Sequence, residues 1–145
     1  MLEIYRSGAG SGKTYQLSIT YLSLILSRPQ NFRHILGITF TNKAAAELKE
    51  RILSYLVCLS SEKPCERKEQ ILKSLKKEGL NLSETEIEDK ARETLGAILH
   101  NYGEFAISTI DSFMHKVVSS FTFDLHIAHD FGIILETTPL AEETA

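Results

Sequence analysis

Tryptophan is absent from this chain of 145 residues, and proline, cysteine and methionine are scarce, at three, two and two residues. Two cysteines cannot build a disulfide framework, and the spacing of Cys58 and Cys65 matches no metal-ligand pattern. They read as inert spare thiols, which points to a reducing, cytoplasmic setting. An excess of positive charge is also missing. With 16 Lys and Arg against 19 Asp and Glu, the net charge of −3 gives no overall pull toward nucleic acid or acidic membranes, while leaving a local basic patch open. Long apolar runs are lacking too. The longest, around "YLSLIL" (21–26), is far too short to span a bilayer, so no membrane role is expected. "MLEIYRSG" has neither the basic start nor the apolar stretch of a signal peptide. No internal repeat, low-complexity tract or flexible linker interrupts the chain.

What is present suits a single globular domain, with 43% hydrophobic and 24% charged residues. "LEIYR" (2–6) has strand character and ends at a glycine-rich turn. From Lys13 the spacing turns helical, with Leu17, Tyr21, Leu24 and Ile25 on one face, widened by Ile19, Leu22 and Leu26. Pro29 should stop this helix near Arg28. "HILGITF" (34–40) is a continuous, β-branched run of the kind found in a parallel strand covered on both sides. The stretch 41–57 then reads as a helix capped by Thr41 or Asn42, lined by Ala45, Leu48, Ile52 and Leu56, with Glu47 and Arg51 able to pair on its wet side.

Residues 60 to about 101 are dense in charges of both signs and spaced for two helices, an inserted pair with a solvated face. Gly79 should end the first, and "SETE" (83–86) is a capping box for the second. "FAISTI" (105–110) returns to strand character. A helix bearing Phe113, Val117 and Phe121 follows, capped by Thr109 or Asp111, and "FGIILE" (131–136) begins another strand. Strands and helices that alternate in this way predict an α/β layered domain with a mostly parallel sheet.

"SGAGSGKT" (7–14) carries chemistry. Gly8, Gly10 and Gly12 permit backbone angles that turn successive amides inward as a nest for phosphate oxygens. Strand and helix flank the loop, so a helix N-terminus also faces the anion. Lys13 can reach the β and γ phosphates, and the Thr14 hydroxyl can ligate Mg²⁺. Ser7, Gly8, Ala9, Gly10, Ser11, Gly12, Lys13 and Thr14 are therefore the candidate ATP-binding residues. Lys13 and Thr14 carry the catalytic roles. Ser7 stands where the general pattern has glycine, although the core G-x-G-K-T remains. A phosphate loop alone leaves its use open: motor, kinase or passive binding module.

Two later segments bear on that use. "ITFTNKAAAELKERI" (38–52) resembles motif Ia of the UvrD/Rep branch of superfamily 1 DNA helicases, and "STIDSF" (108–113) resembles their motif Ib. That branch tolerates a small residue at the position of Ser7. The insertion between the two motifs and the very early phosphate loop most resemble the RecB/AddA subgroup, which includes the beta subunit of exonuclease V. The resemblance implies a partial RecA-like P-loop motor domain over 1–145, with a mostly parallel sheet, helices on both faces, the helical insertion at about 60–101 and an accessory subdomain starting near 124–145. It implies ATP and Mg²⁺ as cofactors and single-stranded DNA or duplex DNA ends as partners. It further implies an ATP-dependent translocase, in which a second helicase-nuclease subunit can take part, acting in end processing and recombinational repair.

Residue by residue, Phe40, Thr41, Asn42 and Lys43 match the DNA contacts of motif Ia, and Thr109 and Ser112 match polar positions of motif Ib. Phe40 can stack a base, and Thr41, Asn42 and Lys43 can hold phosphates, since ligands gather at the carboxyl ends of strands in open α/β sheets. Each also has a plainer reading: Phe40 as core, Asn42 as a helix cap, Lys43 as a surface lysine. Asp111 stands where motif Ib usually has histidine. A carboxylate there would repel phosphate, so it reads as a cap or a loop anchor. The glutamine that reads adenine in many relatives has no counterpart.

The Asp-Glu pair that holds Mg²⁺ and polarises the attacking water has no candidate strand here. The transition-state arginines and second motor domain are also missing, so the expectation is the N-terminal part of a longer helicase whose remaining domains are its partners. Alone it should bind ATP weakly and not be catalytically complete. The alternatives are a P-loop nucleotide-binding module and a small kinase. His126 and His129 form a weak H-x-x-H metal signal, His34, His100 and His115 stand alone, and the acidic cluster at 84–89 suits a helix start.

Overall fold

In a computed structural model, residues 12–61 and 65–121 are described. The strand expected at 2–6, Ser7 to Ser11, the histidines at 126 and 129, the strand expected at 131–136 and the subdomain start at 124–145 lie outside them. The described chain is a helix-rich α/β unit with a small parallel sheet. Helix α1 (Lys13–Ser27) leads through a 3₁₀ turn (Pro29–His34) to strand β1 (Gly37–Thr39) and helix α2 (Asn42–Ser60). Helices α3 (Lys68–Lys77) and α4 (Glu84–His100) follow, then a short 3₁₀ turn, strand β2 (Ile107–Thr109) and helix α5 (Ile110–Ser120). The two strands pair in parallel, Gly37 opposite Ile107 and Thr39 opposite Thr109.

Local chemistry explains the boundaries. Arg28 is extended before Pro29, which closes α1 where expected. Gly79 adopts φ 87°, and the amides of Gly79 and Leu80 bond back to Lys76 and Leu75, so α3 ends in a left-handed glycine turn. The capping box of α4 forms in both directions: the Glu86 amide donates to Ser83 Oγ, and the Ser83 amide donates to the Glu86 carboxylate at 2.8 Å. Both strands are shorter than their apolar runs, because residues 35–36 and 105–106 lie outside regular structure, Phe40 sits in a bend and Ile110 already opens α5.

One continuous core joins α1, α2, α3 and α4, with Ile19, Leu22, Ile25, Leu26, Leu56, Leu59, Leu75, Ile87 and Phe105 fully or almost fully buried. The inserted helices belong to that core, since α4 packs along α2 and α3 packs against α1. This enclosure rotates the buried face of α1 from the expected one. Ser18, Ile19, Tyr21, Leu22, Ile25 and Leu26 point inward, while Leu17 and Leu24 are exposed. Ile38 in β1 is likewise exposed, so among the described residues the strand is not covered on both faces. Glu47 meets Lys43 at 4.0 Å rather than Arg51. Cys58 and Cys65 are joined by a disulfide. The end of α2 and the approach to α3 bring their Cα atoms to 5.8 Å, inside the bridging range. The bond replaces the reading of two inert free thiols and removes that argument for a reducing compartment. No helix among the described residues is long and apolar enough to cross a membrane.

Candidate nucleotide and nucleic-acid site

The sheet register decides the geometry of the second and third motifs. Thr39 and Thr109 are partners across two parallel strands, and each strand runs directly into a helix. Phe40 to Lys43 and Thr109 to Ser112 therefore share one carboxyl edge, with strands about 4.8 Å apart by general sheet geometry. Both helix N-termini open there, and their first-turn amides and positive dipole ends favour an anion.

Each side chain at that edge has a resolved position. Thr41 caps α2, its Oγ1 accepting from the Ala44 amide at 3.1 Å, so Asn42 is the first helical residue and not the cap. Thr109 caps α5, accepting from the Ser112 amide at 3.2 Å and donating to Ser112 Oγ at 2.8 Å. Asp111, expected as a cap or loop anchor, is instead an exposed first-turn residue, where the dipole favours its charge. Phe40 is 85% exposed, which rules out the core reading. The Lys43 side chain is 89% exposed, and its long contact with Glu47 leaves its charge available to solvent. Phe113 and Val117 are half-buried, whereas Phe121, expected on the same face, is exposed.

Behind the edge lies a cleft of about 690 Å³, lined among others by Asn42, Ala45, Lys49, Tyr102, Thr109 and Ser112. Lys49 sits 5.4 Å from the Tyr102 ring centre and 6.0 Å from that of Phe105. Burial, reinforced by the nearby Lys116 charge, holds its ammonium below the usual lysine range. Lys49 escaped sequence reading because it lies within a helix whose periodicity reports only packing. The neighbouring aromatics come from a 3₁₀ turn and the residue after it, more than fifty positions later in the chain.

At the other motif, Gly12, Lys13 and Thr14 fall within the described residues. Gly12 has φ 80° and ψ 15°, and its carbonyl accepts the Gln16 amide at 2.9 Å, so it opens α1 in the left-handed region. A Cβ on Gly12 would meet nothing within 4 Å, so backbone conformation and not space makes glycine suitable. Lys13 and Thr14 are exposed in the first turn of α1. This arrangement fits a bound phosphate, with the lysine as point charge and the helix amides as donors. Among the described residues no group of three His, Cys, Asp or Glu could hold a metal. The Thr14 hydroxyl is a hard oxygen that could join phosphate oxygens around Mg²⁺ if MgATP were bound.

Comparison with known proteins finds one matching family and several relatives. The family model described as UvrD/REP helicase N-terminal domain matches residues 4–144. The RecBCD enzyme subunit RecB of Haemophilus influenzae is 27% identical over 155 residues, an alignment covering 96% of this chain and 12% of that protein. The ATP-dependent DNA helicase UvrD1 of Mycobacterium leprae is 54% identical over 46 residues, covering 32% of this chain and 6% of that protein. The ATP-dependent DNA helicase Rep of Escherichia coli is 50% identical over 46 residues, covering 32% and 7%. The chain thus spans between 6% and 12% of the length of these relatives. No solved structure matches significantly.

Proposed function

We propose, from the premise that this chain belongs to the UvrD/REP helicase N-terminal domain family, that it supplies the ATP grip and the front of the DNA track in a longer ATP-dependent DNA helicase. The shared carboxyl edge of β1 and β2 carries this reading. It gathers an exposed aromatic, an exposed lysine and two helix N-termini within reach of one strand of nucleic acid. Phe40 stacks a base there. Lys43 and the amides of α2 take phosphates, with Asn42 and Ser112 as polar contacts, while the exposed Asp111 carboxylate in the first turn of α5 keeps phosphates to the α2 side. Thr41 and Thr109 act by holding the two helix ends in shape, because their hydroxyls are engaged in caps.

On this reading the fold is the start of a RecA-like motor domain, and Ser7 to Thr14 hold ATP. Lys13 neutralises the β and γ phosphates, and Thr14 meets Mg²⁺. Bound MgATP supplies the free energy that moves DNA across the edge. The alignment with a RecBCD enzyme subunit along 96% of this chain supports the finer reading, DNA end processing and recombinational repair beside a partner helicase-nuclease subunit.

Lys13→Ala in the longer protein tests the proposal. DNA-stimulated ATP hydrolysis and strand separation should both be lost. Turnover retained without Lys13 contradicts the reading, and so does a parent whose hydrolysis is indifferent to DNA.

A further inference from the structure

We infer that the inserted helix α3 positions the phosphate-binding end of α1, with Glu78 as the positioning residue; this rests on the nucleotide reading of Lys13 and Thr14. Three α1 side chains close behind those residues are held by α3 or the residue that ends it. Tyr15 Oη bonds Ser74 Oγ at 2.8 Å. Gln16 Nε2 donates to Glu78 Oε1, and Thr20 Oγ1 donates to Glu78 Oε2 at 3.1 Å. One carboxylate therefore bridges two residues a helical turn apart.

An α-helix rises about 1.5 Å per residue, so Gln16 lies only about 4.5 Å along the axis from Lys13. Fixing Gln16 and Thr20 from one side fixes both the rotation and the axial position of the first turn. The Thr14 carbonyl is in turn bonded by Ser18 Oγ at 2.6 Å, which ties the metal-ligand residue to that turn. The support is itself anchored. The Cys58–Cys65 disulfide lies just before α3, and Lys68 of α3 bonds Glu88 of α4 at 2.7 Å. Ile71, Leu72 and Leu75 of α3 are buried in the core. A carboxylate accepting two donors is more strongly bonded than a neutral acceptor would be.

The arrangement does more than stabilise the fold: it holds the first turn of α1, with Lys13 and Thr14, pre-oriented for the nucleotide. Calorimetric titration of the longer protein with MgATP, well below every variant's melting midpoint, separates the two roles. Glu78→Ala removes both bonds, and the dissociation constant should rise about three- to tenfold, the scale of one charge-assisted hydrogen bond partly transmitted. Glu78→Gln keeps both contacts, its carbonyl oxygen accepting from Thr20 and its NH₂ donating to the Gln16 carbonyl oxygen once that amide turns over, and should recover most of the affinity. An unchanged affinity in Glu78→Ala beside a lowered melting midpoint overturns the inference and leaves the nucleotide reading intact. An affinity as low in Glu78→Gln as in Glu78→Ala also overturns it. No MgATP binding by the unaltered longer protein overturns the nucleotide reading and this inference together.

Discussion

Phe40→Ala separates the two roles an apolar residue can have at this site. A buried phenylalanine costs about 3–5 kcal/mol when cut to alanine, through lost transfer energy and the cavity left behind. Phe40 is 85% exposed, so it buries almost nothing and leaves no cavity. The expected loss of folding stability is within about 0.5 kcal/mol, as for an ordinary surface position. Base stacking on an aromatic is worth about 1–3 kcal/mol, which corresponds to a loss of roughly fivefold to more than a hundredfold in affinity for single-stranded DNA. Urea melts give the first quantity. Fluorescence anisotropy with a labelled oligothymidine at low salt gives the second, and low salt is needed because phosphate contacts weaken steeply as salt rises. A stability loss of several kcal/mol, or unchanged DNA affinity with unchanged stability, refutes the stacking role.

Three further outcomes follow from the same geometry. Gly12→Ala forces a side chain into φ 80° and should cost about 1–2 kcal/mol, seen in a urea melt together with weakened MgATP binding. Ser83→Ala removes the capping box of α4. Hydrogen bonds from Ser83 hold the Glu86 carboxyl below its ordinary value. A depressed carboxylate contributes stability above its unfolded pKa and loses it as pH falls through the folded one, so the gap between Ser83→Ala and the unaltered chain should narrow below about pH 4.5 in melts across an acid series. Tyr21 Oη and Thr94 Oγ1 are buried with no hydrogen-bond partner among the described residues, and burial pushes the Tyr21 hydroxyl well above its usual range. Tyr21→Phe and Thr94→Val should each leave stability equal or raise it by up to about 1 kcal/mol, and a clear loss in a urea melt would reveal a partner.

Much of the helical framework was legible because its signals are local. The Pro29 stop, the Gly79 turn and the Ser83–Glu86 box each depend on residues within one or two turns, and each formed as expected. The α2 core face of Ala45, Leu48, Ile52 and Leu56 was readable for a related reason: one side of that helix stays wet. Helix α1 misled because its apolar residues spread over more than half of its circumference. Periodicity then cannot choose between Leu17 and Ser18 as the inward residue, and contacts with α2, α3 and α4 make the choice. The apolar runs at 34–40 and 105–110 overstated their strands, since irregular backbone at 35–36 and 105–106 and the start of α5 at Ile110 leave only three residues of each to pair.

The motifs were legible as residue types, but their juxtaposition was not. Nothing in the string sets Thr39 opposite Thr109, seventy residues apart; the parallel register does. Exposure decided what spacing left open, turning Phe40 from a possible core residue into a free aromatic face and giving the cap to Thr41 instead of Asn42. The Glu78 bridge to α1 and the packing of Lys49 over Tyr102 depend on contacts between distant segments, so no local pattern announces them. The Cys58–Cys65 bond belongs to the same class, because it depends on the folded chain bringing the two Cα atoms to 5.8 Å.

The central claim is that single-stranded DNA lies across the shared carboxyl edge of β1 and β2. Photocrosslinking of an iododeoxyuridine-substituted oligothymidine to this chain, followed by mass-spectrometric mapping, tests it most directly. The crosslinks should fall on Phe40 to Lys43 and on Thr109 to Phe113, and Phe40→Ala should remove the first group. Crosslinks confined to α3 and α4, with the edge untouched, would contradict it.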